Sequence, residues 1–213
     1  MSHKKGVQKG RIFNNPILEA ISRTSPAITL GVYLPSIIFL IFVYFNSFSA
    51  ELGILNGIMM FLGGLLFWTL FEYIMHRYVF HWISESPAIK RFHYIMHGYH
   101  HDHPRDEERL FMPPLVGWMI IGVLYLSQIF ILKGYTYAFL PGMLIGYLCY
   151  VFVHYSTHKY KAPRLLKYLW KHHSLHHYKY PDKAFGVSSP IWDIVFGTMP
   201  PRQDRKEGDM RGL

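Results

Sequence analysis

Ten of the fourteen histidines lie in four short groups, and the spacing within most groups suits metal binding. The groups are His76 and His81; His97, His100 and His101; His154 and His158; and His173, His176 and His177. Neutral imidazole is the commonest protein ligand for transition metals, and residues three or four apart on a helix lie on one face. One ion takes about four to six ligands. Ten imidazoles therefore predict two metal ions, or one ion with many supporting side chains.

The spacing also predicts which histidines act together. Each triplet can chelate a metal as a unit, because its members share a helical face. His154 and His158 are one turn apart. His76 and His81 are five residues apart, which is about 140° on an ideal helix. We therefore expect these two to bind different metals, unless the helix unwinds at that end.

Three further polar residues are candidates for a supporting role. Glu72 lies one turn before His76 in an otherwise apolar segment, where a carboxylate is costly and usually functional. We predict that it orients His76 through the second ring nitrogen, the alternative being a hydrated carboxylate at the membrane surface. His93 and His172 each lie four residues before a predicted ligand, and either supports that ligand or is an ordinary packed or solvated imidazole.

The segments that must position these histidines are long and apolar. Residues 28–48 carry no charge and would span about 31 Å as a helix, close to the roughly 30 Å of a hydrocarbon core. Residues 52–75 are apolar apart from Glu72, and 115–132 and 137–153 are apolar too. We predict an all-α integral membrane protein with four transmembrane helices arranged as two hairpins.

The basic residues predict the orientation of these helices. Only one of the 22 Lys and Arg residues, Lys133, lies in the short links 46–51 and 133–136. The positive-inside rule therefore places the opposite face in the cytoplasm. All four histidine groups follow an even-numbered span, so they lie on that face too. We predict a cytoplasmic, helical, histidine-rich cap that holds two metals.

Composition limits the other possibilities. No linker divides the chain, so we predict a single domain over 1–213, with a cytoplasmic N-terminal segment at 1–27 and a flexible tail at 202–213. The net charge of +9 is spread over the segments that flank the spans, without a nucleic-acid-binding module, which indicates attraction to anionic lipids rather than to nucleic acid. The single cysteine, Cys149, excludes an internal disulfide.

The ligand set also favours one class of reaction. Imidazoles bind zinc, copper and iron, but two metals held by neutral imidazoles beside a bilayer suit dioxygen activation and attack on an unactivated lipid C–H bond. A hydrolytic zinc site needs fewer ligands and an open water position. A zinc transporter or store is a second class, yet a transporter should place its ligands near the membrane midplane, whereas these lie at span ends.

Five sequence runs resemble the fatty acid 2-hydroxylases, a family within the fatty acid hydroxylase and sterol desaturase superfamily. The runs are FWTLFEYIMHRYVFH at 67–81, FHYIMHGYHHDHPRDEERLFMPP at 92–114, HYSTH at 154–158, HHSLHH at 172–177 and FGVSSPIWDIVFGT at 185–198. The resemblance covers roughly residues 60–200, and all ten grouped histidines match the family's histidine pattern.

The resemblance implies a fatty acid hydroxylase domain whose ten histidines hold two metal ions, with iron in the active form and zinc able to substitute. It implies O2-dependent hydroxylation at C2 of an acyl chain, in a free fatty acid or a ceramide. No catalytic side chain is implied beyond the metal centre. Hydroxylation or desaturation of a sterol or carotenoid is the closest alternative.

The resemblance also implies partners and a location. Many relatives carry an N-terminal cytochrome b5 domain, and fewer than thirty residues precede the first predicted span here. We therefore expect a separate electron donor, such as cytochrome b5, or ferredoxin with its reductase. The expected location is the endoplasmic reticulum membrane in a eukaryote or the cytoplasmic membrane in a bacterium.

Overall fold

The computed structural model describes residues 10–82 and 84–206, and every regular element in these ranges is helical. The α-helices are α1 (Pro16–Ile21), α2 (Pro26–Val43), α3 (Ser49–Leu52), α4 (Ile54–Ile74), α5 (Pro87–His93), α6 (Tyr99–Asp102), α7 (Pro114–Leu132), α8 (Thr136–Lys159), α9 (Lys167–Tyr178), α10 (Ile191–Val195) and α11 (Arg202–Lys206). Wider π-helical turns occur at Tyr44–Phe48, Met75–Phe80 and Tyr94–Gly98, and 3-10 turns at Glu107–Arg109, Lys133–Tyr135 and Arg164–Leu166.

Local sequence explains where the first long helices begin. Pro26 stands at the first position of α2, where its missing N–H costs nothing, and the Ser25 hydroxyl accepts from the Ile28 amide at 3.3 Å. Gly53 separates α3 from α4 with a φ of 84°, a conformation that favours glycine. The chain therefore turns back sharply between α2 and α4.

Three largely helical segments of the described residues are long and apolar enough to cross a membrane. They are Pro26–Leu52, Ile54–Phe80 and Glu107–Lys159. The sequence predicts four spans, and the difference lies in the third segment. It is 53 residues long and contains both α7 and α8, with the turn Lys133–Tyr135 between them.

The outer surfaces of these segments are apolar and exposed. Phe130 is 82% exposed and Ile131 is 78% exposed, both on α7. Apolar patches of this extent are rare on soluble monomers and mark contact with membranes or partners. The exposed surface therefore agrees with the predicted class of membrane protein.

Two glycines bring α4 and α8 into close contact. A Cβ atom added at Gly64 would lie 2.0 Å from the Phe139 carbonyl oxygen, and one added at Gly142 would lie 2.0 Å from that of Phe61. Small residues let helix backbones approach in this way, which is a common packing mode in membrane helices. This pair of helices forms the centre of the bundle.

The same contacts show that α4 and α8 run in the same direction. Gly142 meets Phe61, whereas Gly146, one turn further along α8, meets Trp68, which is further along α4. The C-terminal ends of both helices therefore lie at one end of the bundle. Both of those ends carry predicted metal ligands.

The termini of the described chain are held by carboxylates. Asp204 accepts hydrogen bonds from Lys179 and Tyr180, each at 2.6 Å, and α11 forms around it. The segment 202–213, predicted to be flexible, thus begins with an anchored helix at Arg202–Lys206, and 207–213 lie outside the described residues. In the predicted N-terminal segment 1–27, residues 1–9 lie outside the described residues, and Glu19 of α1 is buried.

Candidate metal centre

The ten predicted histidines gather into two groups of five. Group one is His76, His81, His97, His101 and His176, and group two is His100, His154, His158, His173 and His177. Within each group, one ring nitrogen from every histidine lies within 4.8 Å of the others. The geometry therefore offers two separate sets of imidazole donors, each of which could hold a metal ion.

A π-helical turn brings His76 and His81 into the same group. The turn Met75–Phe80 follows α4, and the His81 amide donates to the His76 carbonyl at 3.1 Å, a bond that spans five residues. Because a π turn holds more residues than an α turn, residues five apart come to the same side, and the two ring centroids are 5.1 Å apart. Of the two alternatives that the sequence left open, different metals or an unwound helix end, the structure fits the second.

The sequence allows each histidine triplet to chelate as a unit, whereas the structure divides each triplet between the two groups. His97 and His101 belong to group one, and His100 belongs to group two. On a helix, residues four apart differ by about 40°, whereas a residue three ahead turns about 60° the other way. The later triplet divides in the same manner, with His176 in group one. Each triplet thus links the two groups.

The nitrogen spacings in group one fit coordination of an ion. The Nε2 atom of His97 lies 3.0 Å from that of His76 and 3.1 Å from that of His101. Two imidazoles bound at right angles, with metal–nitrogen distances of about 2.1 Å, place their nitrogens about 3.0 Å apart. The three nitrogens are therefore spaced as they would be around one shared ion.

Group two has the same internal spacing. The Nε2 atoms of His100 and His154 are 3.0 Å apart, and those of His158 and His173 are 2.8 Å apart. His154 and His158 lie on successive turns of α8, with their Nε2 atoms 3.3 Å apart. The one-turn spacing predicted from the sequence therefore brings this pair together.

Backbone carbonyls orient three of the rings from behind. The Nδ1–carbonyl pairs are His76 with Phe185 at 2.5 Å, His176 with Lys183 at 2.7 Å and His154 with Leu110 at 3.0 Å. A carbonyl oxygen can only accept, so each Nδ1 carries the proton and each Nε2 presents a lone pair to its group. This is the arrangement found behind metal-bound histidines.

Burial keeps the imidazoles neutral, as metal ligands must be. It lowers the pKa of His81 to about 3 and that of His101 to about 4, and neighbouring imidazoles add to the effect at His81. The Nε2 atoms of His81, His176 and His177 are buried and have no hydrogen-bond partner among the described residues. Leaving such atoms unpaired costs about 1–3 kcal/mol each. The donor set therefore fits transition-metal ions.

Glu72 does not contact His76 in the predicted way. Its carboxylate accepts from the amides of Val187 at 2.7 Å and Ser188 at 2.9 Å, and from the Ser188 hydroxyl. Side chains on a helix tilt toward its N-terminus, so Glu72 points away from the turn that carries His76. The carbonyl of Phe185 takes the position that the sequence assigned to Glu72.

His172 supports the site indirectly, through Asp193. The fully buried carboxylate of Asp193 lies 3.0 Å from the His172 ring and accepts from the amides of Phe185 at 2.9 Å and Gly186 at 2.8 Å. Sequence reasoning missed Asp193, although it is the only acidic residue in the run at 185–198. The Nε2 atom of His93 is buried and has no hydrogen-bond partner in the described part of the chain, and the ring centroid of His93 is 6.1 Å from that of His81.

Apolar helices that end in two five-histidine groups define a class of membrane-associated, histidine-rich metal-binding protein, and comparisons with known proteins specify the family. Residues 61–198 match the model of the family described as fatty acid hydroxylase. Dihydroceramide fatty acyl 2-hydroxylase FAH2 of Arabidopsis thaliana is 35% identical over 201 residues, which cover 91% of this chain and 81% of the relative. The chain belongs to the fatty acid hydroxylase family, as its resemblance to fatty acid 2-hydroxylases indicates.

Two further comparisons agree. Fatty acid 2-hydroxylase of Homo sapiens is 31% identical over 225 residues, covering 94% of this chain and 59% of the human protein. A solved structure of full-length Scs7p, in which only the hydroxylase domain is visible, is similar with a TM-score of 0.81 and 34% identity, over 89% of this chain and 71% of that one. The chain thus spans about three-fifths of the human relative's length.

Proposed function

We propose that this chain is a membrane di-metal monooxygenase that hydroxylates C2 of a fatty acyl chain, in a free fatty acid or a ceramide. The observation that carries the proposal is the pair of five-histidine groups at one end of the apolar helices. The printed names of the relatives, which include dihydroceramide fatty acyl 2-hydroxylase, support an acyl substrate. Two bound iron ions would supply dioxygen activation, and zinc can occupy the same imidazoles because its affinity at nitrogen sites exceeds that of iron(II).

The protein's own contribution is to hold the neutral imidazole rings in a site from which water is excluded. The Phe80 ring stacks on His97 with centroids 5.3 Å apart, and Phe185 lies edge-on to His81 at 5.5 Å and to His176 at 5.6 Å. These rings cover group one with apolar surface. They exclude water and suit the approach of an acyl chain rather than of a polar substrate.

The apolar surface next to the site supports a substrate that comes from the lipid. On α10, Ile194 is 64% exposed and Val195 is 60% exposed, and Trp192 ties this helix to α4 by donating to Thr69 at 2.9 Å. An acyl tail along this surface would have its carboxyl end near the histidine groups. The protein would then contribute to the rate by positioning C2 close to the metals.

We further propose that the chain crosses the membrane four times, with the histidine groups on the cytoplasmic side. Helices α7 and α8 have 19 and 24 residues, so each is about 28 Å long or longer and comparable to a hydrocarbon core of about 30 Å. The basic residues on the histidine-bearing side support the orientation. The membrane would be that of the endoplasmic reticulum in a eukaryote or the cytoplasmic membrane in a bacterium, with electrons from a separate donor.

Lipid mass spectrometry tests substrate and site together. The chain is expressed in a host that lacks 2-hydroxy lipids, beside a His176→Ala variant. We expect new 2-hydroxyacyl lipids from the wild type and none from the variant, with both proteins recovered in the membrane fraction. A hydroxylated sterol or carotenoid without any 2-hydroxyacyl product would overturn the proposed substrate, and unchanged product from the variant would remove His176 from the site.

A further inference from the structure

We propose that each histidine group is oriented by its own backbone segment, which carboxylates hold in place. The affinity of one group for its ion can therefore be lowered without changing the affinity of the other. Segment 183–188 serves group one, and segment 106–110 serves group two. The inference rests on the proposed function, because it requires that both groups bind an ion. It assigns positioning roles to three acidic residues that are not themselves in either histidine group: Glu19, Glu72 and Asp193.

Asp193 fixes the first half of segment 183–188. Its carboxylate accepts from the amide of Phe185, whose carbonyl in turn accepts from His76. A shift of the Asp193 carboxylate would therefore turn the Phe185 peptide and, with it, the His76 ring. The carboxylate is itself held by the Thr198 hydroxyl at 2.7 Å and by His172.

Glu72 fixes the second half of the same segment, through the amides of Val187 and Ser188. Directly before the residues that Asp193 holds, Ala184 is fully buried and has a φ of 59°, in the left-handed region that a residue with a Cβ atom rarely adopts. Such a conformation costs of order 1–3 kcal/mol and persists only where the surroundings impose it. The segment is thus held in place against its own backbone preference, with the carbonyl of Lys183 directed at His176.

Group two depends on a different segment. The carbonyl of Leu110 accepts from His154 at 3.0 Å, and this is the backbone contact that orients a ring of group two from behind. The neighbouring residue, Arg109, is only 4% exposed and forms a buried ion pair with Glu19 of α1. Glu19 therefore acts on His154 through two residues of segment 106–110.

Other contacts from the N-terminal region secure segment 106–110. The Thr24 amide donates to the Glu108 carbonyl at 2.8 Å, and Arg23 pairs with the Glu108 carboxylate at 3.1 Å. Within the segment, Asp106 accepts from the Tyr99 hydroxyl at 2.8 Å. The two segments thus use different carboxylates and orient different histidines, so a disturbance of one leaves the contacts of the other in place.

Zinc binding to the purified full chain tests the proposal without any activity measurement. Ions per chain are counted by elemental mass spectrometry, and affinities are measured by competition with a chelator. We expect Asp193→Asn to lower the affinity for one zinc ion about 10- to 100-fold, as is typical for residues behind metal ligands. Glu19→Gln should lower the affinity for the other zinc ion by a similar factor. Ser22→Ala is the control for Glu19→Gln, because the Ser22 hydroxyl contacts the Glu19 carbonyl and not its carboxylate.

Two background variants assign the ions to their groups. In a His158→Ala background, group two no longer binds its ion. Asp193→Asn should then lower the affinity for the remaining ion, and Glu19→Gln should leave that affinity unchanged. In a His81→Ala background the two effects should exchange. Ser188→Ala, which removes one of the donors to Glu72, is a milder variant that should weaken the ion of group one even if Asp193→Asn fails to fold.

The outcomes separate this inference from the proposed function. Variants that weaken both ions equally, or that weaken the same ion, would overturn the inference, because a merely structural role lowers both affinities together. A wild-type chain that binds fewer than two zinc ions would overturn the di-metal proposal and this inference with it.

Discussion

A histidine can serve as a metal ligand here only while it is neutral, and its burial decides its protonation. An imidazolium ion inside either group would lose hydration and meet four other rings at short range, so both effects favour the neutral form. The backbone carbonyls behind His76, His154 and His176 then settle which nitrogen keeps its proton. In these three rings the lone pair of Nε2 is therefore directed into the histidine group, whether or not an ion is bound.

This electrostatic arrangement predicts that the metal-free chain loses stability in mild acid. The pKa of His81 is about 3 and that of His101 about 4 in the folded chain, against an ordinary value of 6.5. The unfolded chain therefore takes up protons first, and the folded state is progressively disfavoured as pH falls from about 6.5 toward these values. Thermal unfolding of chelator-treated protein in detergent should show a midpoint that decreases steadily below pH 6.5.

The contrary result is also informative. An unfolding midpoint that stays constant between pH 7.5 and pH 5 would mean that these histidines are already hydrated in the metal-free chain. Zinc-loaded protein serves as the control, because bound ions compete with protons for the same nitrogens. Its midpoint should stay constant to a lower pH than that of the metal-free protein.

At the level of elements, the sequence predicted the helices well and their local irregularities poorly. Apolar length alone indicated the membrane segments, and the histidine spacing indicated that His154 and His158 come together but not how the triplets divide. The five-residue spacing of His76 and His81 left an irregular helix end open, but not the π turn at Met75–Phe80 itself, because a π turn costs energy by itself and exists here where His76 reaches the carbonyl of Phe185, more than a hundred residues away. The division of the triplets depends equally on how distant helices meet.

The close contact of α4 and α8 at their glycines can be tested by substitution. In Gly142→Ala the added Cβ would lie 2.0 Å from the Phe61 carbonyl oxygen, so the helices must separate. We expect a loss of about 1–3 kcal/mol in stability, as is usual for overpacking, measured as a lower unfolding midpoint in detergent. Gly122→Ala on α7 is the matched control, since nothing lies within 4 Å of its added Cβ. Equal midpoints for the two variants would show that the helices are not in close contact.

At the level of the whole molecule, the parallel course of α4 and α8 explains why one face holds all ten histidines. Helices that run the same way end at the same end of the bundle, so the chain must run back along the bundle between them, through α7. The links before α4 and before α8 then lie together at the other end, where the Tyr135 hydroxyl reaches the Leu52 carbonyl at 3.5 Å. The site is therefore a consequence of topology as much as of histidine spacing.

This topology predicts opposite labelling of two single cysteines. In a Cys149→Ser background, Glu51→Cys lies on the short helix α3 between α2 and α4, and Lys161→Cys follows the histidine-bearing end of α8; both positions are exposed. In a bacterial host, a membrane-impermeant thiol reagent added outside intact cells should label position 51. In a eukaryotic host, position 51 should be labelled from the lumenal side of the endoplasmic reticulum. The reagent should label position 161 only after the membrane is permeabilised. Labelling of both positions from the same side would mean that α4, α7 and α8 do not all cross the membrane, and it would overturn the proposed four spans.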